Sequence, residues 1–167
     1  GFACRGMDGA SPERALEDCD GVRGARESAV RLARKRVLVL GDSITQDGRW
    51  VSFLEHELSA SFPDLEFDFV SIGLASETCS GLSEPGHAGG AFPRPCVFER
   101  LERALEETRP ALVLACYGMN DGIYLPFSEE RFQKFQDGIK RLRERVTVTG
   151  AKIIHVTPPT FDATTFF

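Results

Sequence analysis

VLVLGDSITQDGRW, residues 37 to 50, joins a short apolar run to a Gly-Asp-Ser turn and then to a segment with helical spacing. The run from Arg36 to Leu40 shows no polar alternation, which suits a parallel strand buried on both faces. The turn after it exposes a hydroxyl at the mouth of the sheet, where a nucleophilic serine would have to stand. Gly41 lets the backbone turn tightly, and Asp42 can brace the turn by accepting from nearby amides. Trp50, Phe53, Leu54, Glu57, Leu58 and Phe62 then set a mainly apolar stripe at helical spacing, ended by Pro63.

Outward from this unit the pattern repeats. A second strand is expected at Glu66 to Ile72, a helix over Val97 to Arg109, and a third strand at Ala111 to Cys116. Ser128 can cap a long helix in which Phe132, Phe135, Ile139, Leu142 and Val146 recur, with Gly150 at its end. A fourth strand, Lys152 to Thr157, is halted by Pro158 and Pro159. Between the second strand and the next helix runs Gly73 to Pro95, rich in glycine, serine and proline; a loop this long is functional or disordered. Upstream, Ser11-Pro12-Glu13 opens one or two helices broken near Gly21 and Gly24. Residues 1 to 35 therefore read as a helical leader or arm, and 36 to 167 as the main domain. The arginines between Arg23 and Arg36 sit among Glu27 and apolar residues, the pattern of a solvated helix face.

With 167 residues and 42% hydrophobic content, the chain can bury one sizeable core. A net charge of -5 argues against a nucleic-acid partner. No apolar run is long enough to span a bilayer, and residues 1 to 35 lack the apolar segment of a signal peptide. A signal removed earlier would leave the same sequence, so the compartment stays open. The five cysteines form no CxxC pair and have no histidine at zinc-finger spacing, so no metal or other cofactor is expected. Cys116 reads as a core residue; Cys79 and Cys96 flank the long loop and could pair in an oxidising compartment, but free thiols are the expectation.

Alternating strands and helices imply a parallel sheet with right-handed crossovers and helices on both faces. Ligands collect at the carboxyl ends of such strands. Gly41-Asp42-Ser43 lies there after the first strand, Gly73 after the second, and Gly118-Met119-Asn120-Asp121 after the third. Acyl transfer needs donors aimed at a tetrahedral oxyanion, and the amides of Ser43 and Gly73 with the Asn120 side chain would serve. Taken singly, each motif is an ordinary turn. Asp42, His87, Asp121 and Tyr124 are expected at the substrate. Tyr117, Met119, Ile123, Tyr124 and Phe127 supply either an aromatic wall or core packing.

GDSIT at 41 to 45, SIG at 71 to 73 and GMND at 118 to 121 resemble the SGNH, or GDSL-type, hydrolases over roughly residues 36 to 160. The resemblance implies a flavodoxin-like three-layer α/β/α sandwich with a parallel sheet, and ester hydrolysis with Ser43 as nucleophile and Ser43, Gly73 and Asn120 as oxyanion donors. SETCSGLSEPGHAGG and CYGMNDGIY look like a subgroup associated with carbohydrate esters, so the expected partner is a small-molecule or carbohydrate ester. The family carries its general base in a D-x-x-H motif after a fifth strand. No D-x-x-H occurs in this sequence, which reads as truncated after its fourth strand, with the catalytic His and Asp expected beyond it.

Among the three histidines, His56 reads as a helix-surface residue and His155 as a satisfied core histidine. His87 stands in the long loop, placed to contact substrate or replace the base. Asp162 has no histidine to orient. An incomplete sheet would leave an apolar edge open to self-association or strand exchange. Two other readings remain. One is a non-catalytic carbohydrate- or acyl-binding module with a vestigial esterase site. The other makes Asp42 a phosphoryl-transfer nucleophile, but it expects a second carboxylate where Ile44 stands and explains neither Gly73 nor Asn120.

Overall fold

The computed structural model describes residues 34–159. The expected leader lies outside them except for residues 34 and 35, which belong to the first strand rather than to a helical arm, and Cys4, Cys19 and Asp162 also lie outside. Strands β1 (Arg34–Gly41), β2 (Glu66–Ser71), β3 (Leu112–Cys116) and β4 (Lys152–Val156) form one parallel sheet in the order β2-β1-β3-β4. Val37 pairs with Leu112 and Gly41 with Cys116, while Leu112 pairs with Lys152 and Cys116 with Val156. The carboxyl ends of β1, β3 and β4 are thereby level.

Period-two alternation sorts the apolar run of β1 onto both faces. Val37 and Val39 face Val51, Leu114 and the partly buried Trp50 and Leu54; Leu38 and Leu40 face Val113, Leu101, Leu105, Leu142 and Val146. Helix α2 (Arg49–Ser61) covers the first face, and α3 (Leu101–Thr108) with α4 (Glu129–Val148) covers the second. The expected three-layer α/β/α arrangement is what forms. A four-residue helical turn, α1 (Ser43–Gln46), links β1 to α2. Each fully buried Leu or Val side chain contributes about 1.5–3 kcal/mol, so the central strand carries much of the driving force.

Three local expectations need correction. The α2 stripe is rotated: Val51 is its most buried residue, Trp50 and Leu54 pack beside it, and Phe53 and Phe62 point outward. The apolar positions 53 and 62 were read as core because both faces of this helix carry large residues. The helix expected from Val97 to Arg109 is divided into a 3-10 turn, Val97–Glu99, and α3. At the break Arg100 leaves helical geometry (φ -127°) and its guanidinium reaches the buried Glu77. Third, both ring nitrogens of His155 are buried with no hydrogen-bond partner among the described residues, so it is not the satisfied core histidine expected. Desolvation, reinforced by Arg143, lowers its pKa and keeps the ring neutral.

The long loop is ordered. A parallel bridge between Thr78 and Cys96 staples its ends, and Gly138 on α4 admits the backbone of Cys79 so closely that an added Cβ would stand 2.3 Å from its carbonyl oxygen. Cys79, Cys96 and Cys116 are free thiols, and Cys79 and Cys116 are buried, as the sequence suggested for Cys116. Strand β4 lies at one end of the sheet, with Ile154 52% exposed on the α2 side.

Candidate active site

Ser43 is exposed at the first position of α1, directly beyond the end of β1. Its neighbour Asp42 is the buried N-cap, and Oδ1 accepts from the Ile44 amide at 3.0 Å. Burial raises the Asp42 pKa, with the charge of Asp121 adding and the Ile44 amide opposing. Sharp turning here depends on glycine: a Cβ at Gly41 would stand 2.1 Å from Thr45 Oγ1 and 2.8 Å from the Cys116 carbonyl. Asp42 thus braces the turn, as the sequence allowed.

Gly73 arrives from the end of β2. Ile72 N–H donates to Val39 O and Leu74 N–H to Gly41 O, so the intervening Gly73 N–H points away from that ladder. Its Cα abuts α1, where a Cβ would stand 2.2 Å from the Gln46 nitrogen and 2.6 Å from the Thr45 carbonyl carbon. No side chain fits between β2 and the serine turn.

Asn120 completes the group from the loop after β3. It is buried, and its Nδ2 lies 3.3 Å from Asp42 Oδ2 and 3.3 Å from the Glu77 carbonyl. Both hydrogen bonds from Nδ2 are long, a spacing that can tighten when a better acceptor arrives. Three segments far apart in sequence therefore meet at the turn that carries Ser43.

The four residues expected at the substrate separate. Asp121 is buried, and its Oδ1 accepts from the amides of Cys79 (2.9 Å) and Ser80 (2.7 Å); it holds the long loop against the third-strand loop. Burial raises its pKa, against those backbone bonds. His87 places Nδ1 3.3 Å from Glu84 Oε1 and packs edge-on to Phe92. Tyr124 is exposed, its OH 3.4 Å from Asn120 Oδ1, and it borders an open cavity of about 510 Å³ with Met119, Leu125, Pro158 and Pro159. A smaller cavity of about 240 Å³ lies beside it, lined by Leu125, Phe127, Phe132, Phe135 and Asp121 among others. The aromatic wall divides: Tyr117 and Ile123 are core, whereas Tyr124 and Phe127 are exposed. His56 lies on the exposed surface of α2, as expected.

Sequence reasoning missed the charges behind the site. Glu77 is fully buried, bound by Arg100 through two 2.6 Å bonds and by the Tyr117 hydroxyl at 2.6 Å. Burial pushes the Tyr117 pKa up, and Glu77 adds to the shift. Arg94, 7% exposed, donates to both Glu84 oxygens at 2.7 Å and to Asn120 Oδ1 at 3.0 Å. Those bonds hold the Glu84 carboxyl down at about 2. These pairs span 10 to 40 residues, so no local spacing marks them. The sole local sign is Arg94 itself, a lone charge set between two prolines. Among the described residues no three His, Cys, Asp or Glu side chains cluster to hold a metal ion, and no helix is long and apolar enough to cross a membrane.

Comparison with known proteins bears on the fold and the family. No curated protein matches the sequence. Solved structures with the same fold include acetyl xylan esterase Axe2 from Geobacillus stearothermophilus, at TM-score 0.55 and 21% identity, covering 72% of this chain and 58% of that one. A catalytic mutant of Axe2 aligns at TM-score 0.56 and 22% identity, covering 74% and 59%. TesA aligns at TM-score 0.54 and 24% identity, covering 72% and 59%. The chain thus spans under two thirds of the length of these structures. The family model of GDSL-like lipases and acylhydrolases matches residues 39–166, which take in the serine turn, Gly73 and the Asn120 loop. The chain belongs to the GDSL-like lipase/acylhydrolase family.

Proposed function

We propose that the chain carries the nucleophile and oxyanion site of a serine esterase that cleaves short acyl esters, acetyl esters of carbohydrates foremost. The observation that carries this reading is the contact of the Asn120 amide with Asp42, one residue from the exposed Ser43, while Gly73 packs against Thr45 and Gln46. In this reading Ser43 Oγ attacks the ester carbonyl, and the charge that develops on its oxygen is met by the amides of Ser43 and Gly73 and by Asn120 Nδ2. The alcohol leaves with a proton, and water clears the acyl-enzyme by the reverse sequence. Tyr124 and the cavity beside Met119 offer a half-apolar surface suited to a sugar ring.

The general base belongs, in this proposal, to a segment outside these 167 residues. His87 has a carboxylate partner three residues earlier, as a triad histidine would, but Arg94 already holds both oxygens of Glu84. A neutralised carboxylate is a poor counter-ion for an imidazolium. Support for the substrate class comes from the fold shared with Axe2, an acetyl xylan esterase.

Hydrolysis of 4-nitrophenyl acetate tests the reading in this chain, in any longer natural version of it, and in Ser43→Ala of each. Activity in the longer version should fall at least about 10³-fold with Ser43→Ala. Ser43-dependent activity of equal size in the short chain would place the base within it and redirect attention to His87. No Ser43-dependent activity in either version would favour the binding-module reading.

A further inference from the structure

We propose that Arg94 is a positioning residue that sets which way the Asn120 amide points, and that Glu84 with His87 forms the clamp holding it in place. The proposal rests on the esterase reading for its consequence, since Asn120 is there an oxyanion donor. Its structural part stands on the geometry alone.

A side-chain amide has an acceptor end and a donor end of nearly the same shape, and only its surroundings decide between them. At Asn120 the acceptor end, Oδ1, faces Arg94 Nη1 at 3.0 Å and the Tyr124 hydroxyl at 3.4 Å. The donor end, Nδ2, faces two acceptors, Asp42 Oδ2 and the Glu77 carbonyl. Turning the amide over would set NH₂ against a guanidinium that can only donate, and oxygen against a carboxylate and a carbonyl. Arg94 is the strongest of these constraints because it has no acceptor to offer and cannot lose its charge.

The guanidinium is itself held. Nε and Nη2 make a two-pronged pair with Glu84 at 2.7 Å each, which fixes the plane of the fork. His87 Nδ1 stands against Glu84 Oε1, and the Tyr124 ring lies 5.4 Å from the guanidinium carbon. The Arg94 amide donates to Ser83 Oγ at 3.0 Å, so the backbone on either side of the loop is tied as well. A cation against Oδ1 also draws electron density from the amide nitrogen, making Nδ2–H a stronger donor. His87, placed near the substrate by the sequence, acquires a role through Glu84 and Arg94.

The test uses the whole chain and two independent readouts. Arg94→Met is made together with Glu84→Gln, so that no unpaired charge is left buried and the fold is kept; near-ultraviolet circular dichroism checks this. The first readout is the ¹⁵N–¹H signal pair of the Asn120 side chain, identified by its loss in Asn120→Ala. It should move and exchange faster with water in the double variant, and Arg94→Lys should fall between. The second is kcat and KM for 4-nitrophenyl acetate, in whichever version of the chain shows Ser43-dependent activity. The double variant should lose about 10- to 100-fold in kcat with KM changed little, part of the 10²- to 10³-fold that an oxyanion donor supplies. In an Asn120→Ala background the same changes should cost less than about twofold, because Arg94 acts through Asn120. Losses that add in that background, or an Asn120 signal unmoved by the double variant, would overturn the proposal. If no version hydrolyses the ester, the esterase reading fails, and the Asn120 signal alone decides whether Arg94 orients the amide.

Discussion

At Gly73 the price of one methyl group is set by backbone atoms rather than by a side chain that could swing aside. An added Cβ would stand 2.2 Å from the Gln46 nitrogen and 2.6 Å from the Thr45 carbonyl carbon, so either β2 or the serine turn must move. Gly73→Ala is expected to cost at least about 1–3 kcal/mol, read from the urea midpoint, and to lower ester hydrolysis by more than that destabilisation explains. An unchanged midpoint would mean that the close approach is relieved without cost. Glycine at this position was legible in the sequence as an oxyanion donor after the second strand; the clash with α1 became visible when β2 was laid beside it. Asn120 was legible as a donor, but Arg94, which turns it, was not. An arginine in a loop gives no sign of which acceptor, 10 or 26 residues away, it will find.

At the scale of single elements, helix ends were easier to read than helix faces. Ser128 accepts from the Arg131 amide at the start of α4, and Glu129 and Glu130 occupy the first turn, where acidic side chains complement the exposed amides. Ser128→Ala is expected to destabilise the chain by about 1 kcal/mol in urea unfolding, with the site's activity preserved. A loss near zero would show that the 3.4 Å bond contributes little. On α4 the expected stripe largely buries, since Leu142 and Val146 are fully enclosed and Phe135 and Ile139 pack on the core. On α2 it does not, because Phe53, 71% exposed, shares the helix with Val51, and spacing alone cannot choose between two apolar faces. The sheet decides that choice by offering Val37 and Val39 to one of them.

For the molecule as a whole, the carboxylates around the site make stability depend on pH in opposing directions. Asp42 and Asp121 are raised by burial, so the native state binds protons more readily than the unfolded chain, and stability falls as pH rises through the window above the ordinary aspartate range. Glu84 is lowered to about 2 from 4.5; its pairing with Arg94 is complete above the ordinary glutamate range and is lost only as pH falls toward 2. Asp121→Asn keeps an Oδ1 for the Cys79 and Ser80 amides and removes the buried charge. Its urea midpoint should therefore decline less than that of the parent chain as pH rises above the ordinary aspartate range. Equal slopes would mean that the Asp121 charge is not destabilised in the fold. The order of strands, turns and glycines along the chain determined the layered fold and the meeting of Ser43, Gly73 and Asn120, because apolar periodicity and turn chemistry are local and parallel topology brings strand ends together. Only the tertiary structure decided which charges stand behind them. Ion pairs such as Arg94–Glu84 and Arg100–Glu77 form between segments with no shared period, and burial, which gives them their strength, exists only once the chain has closed around them.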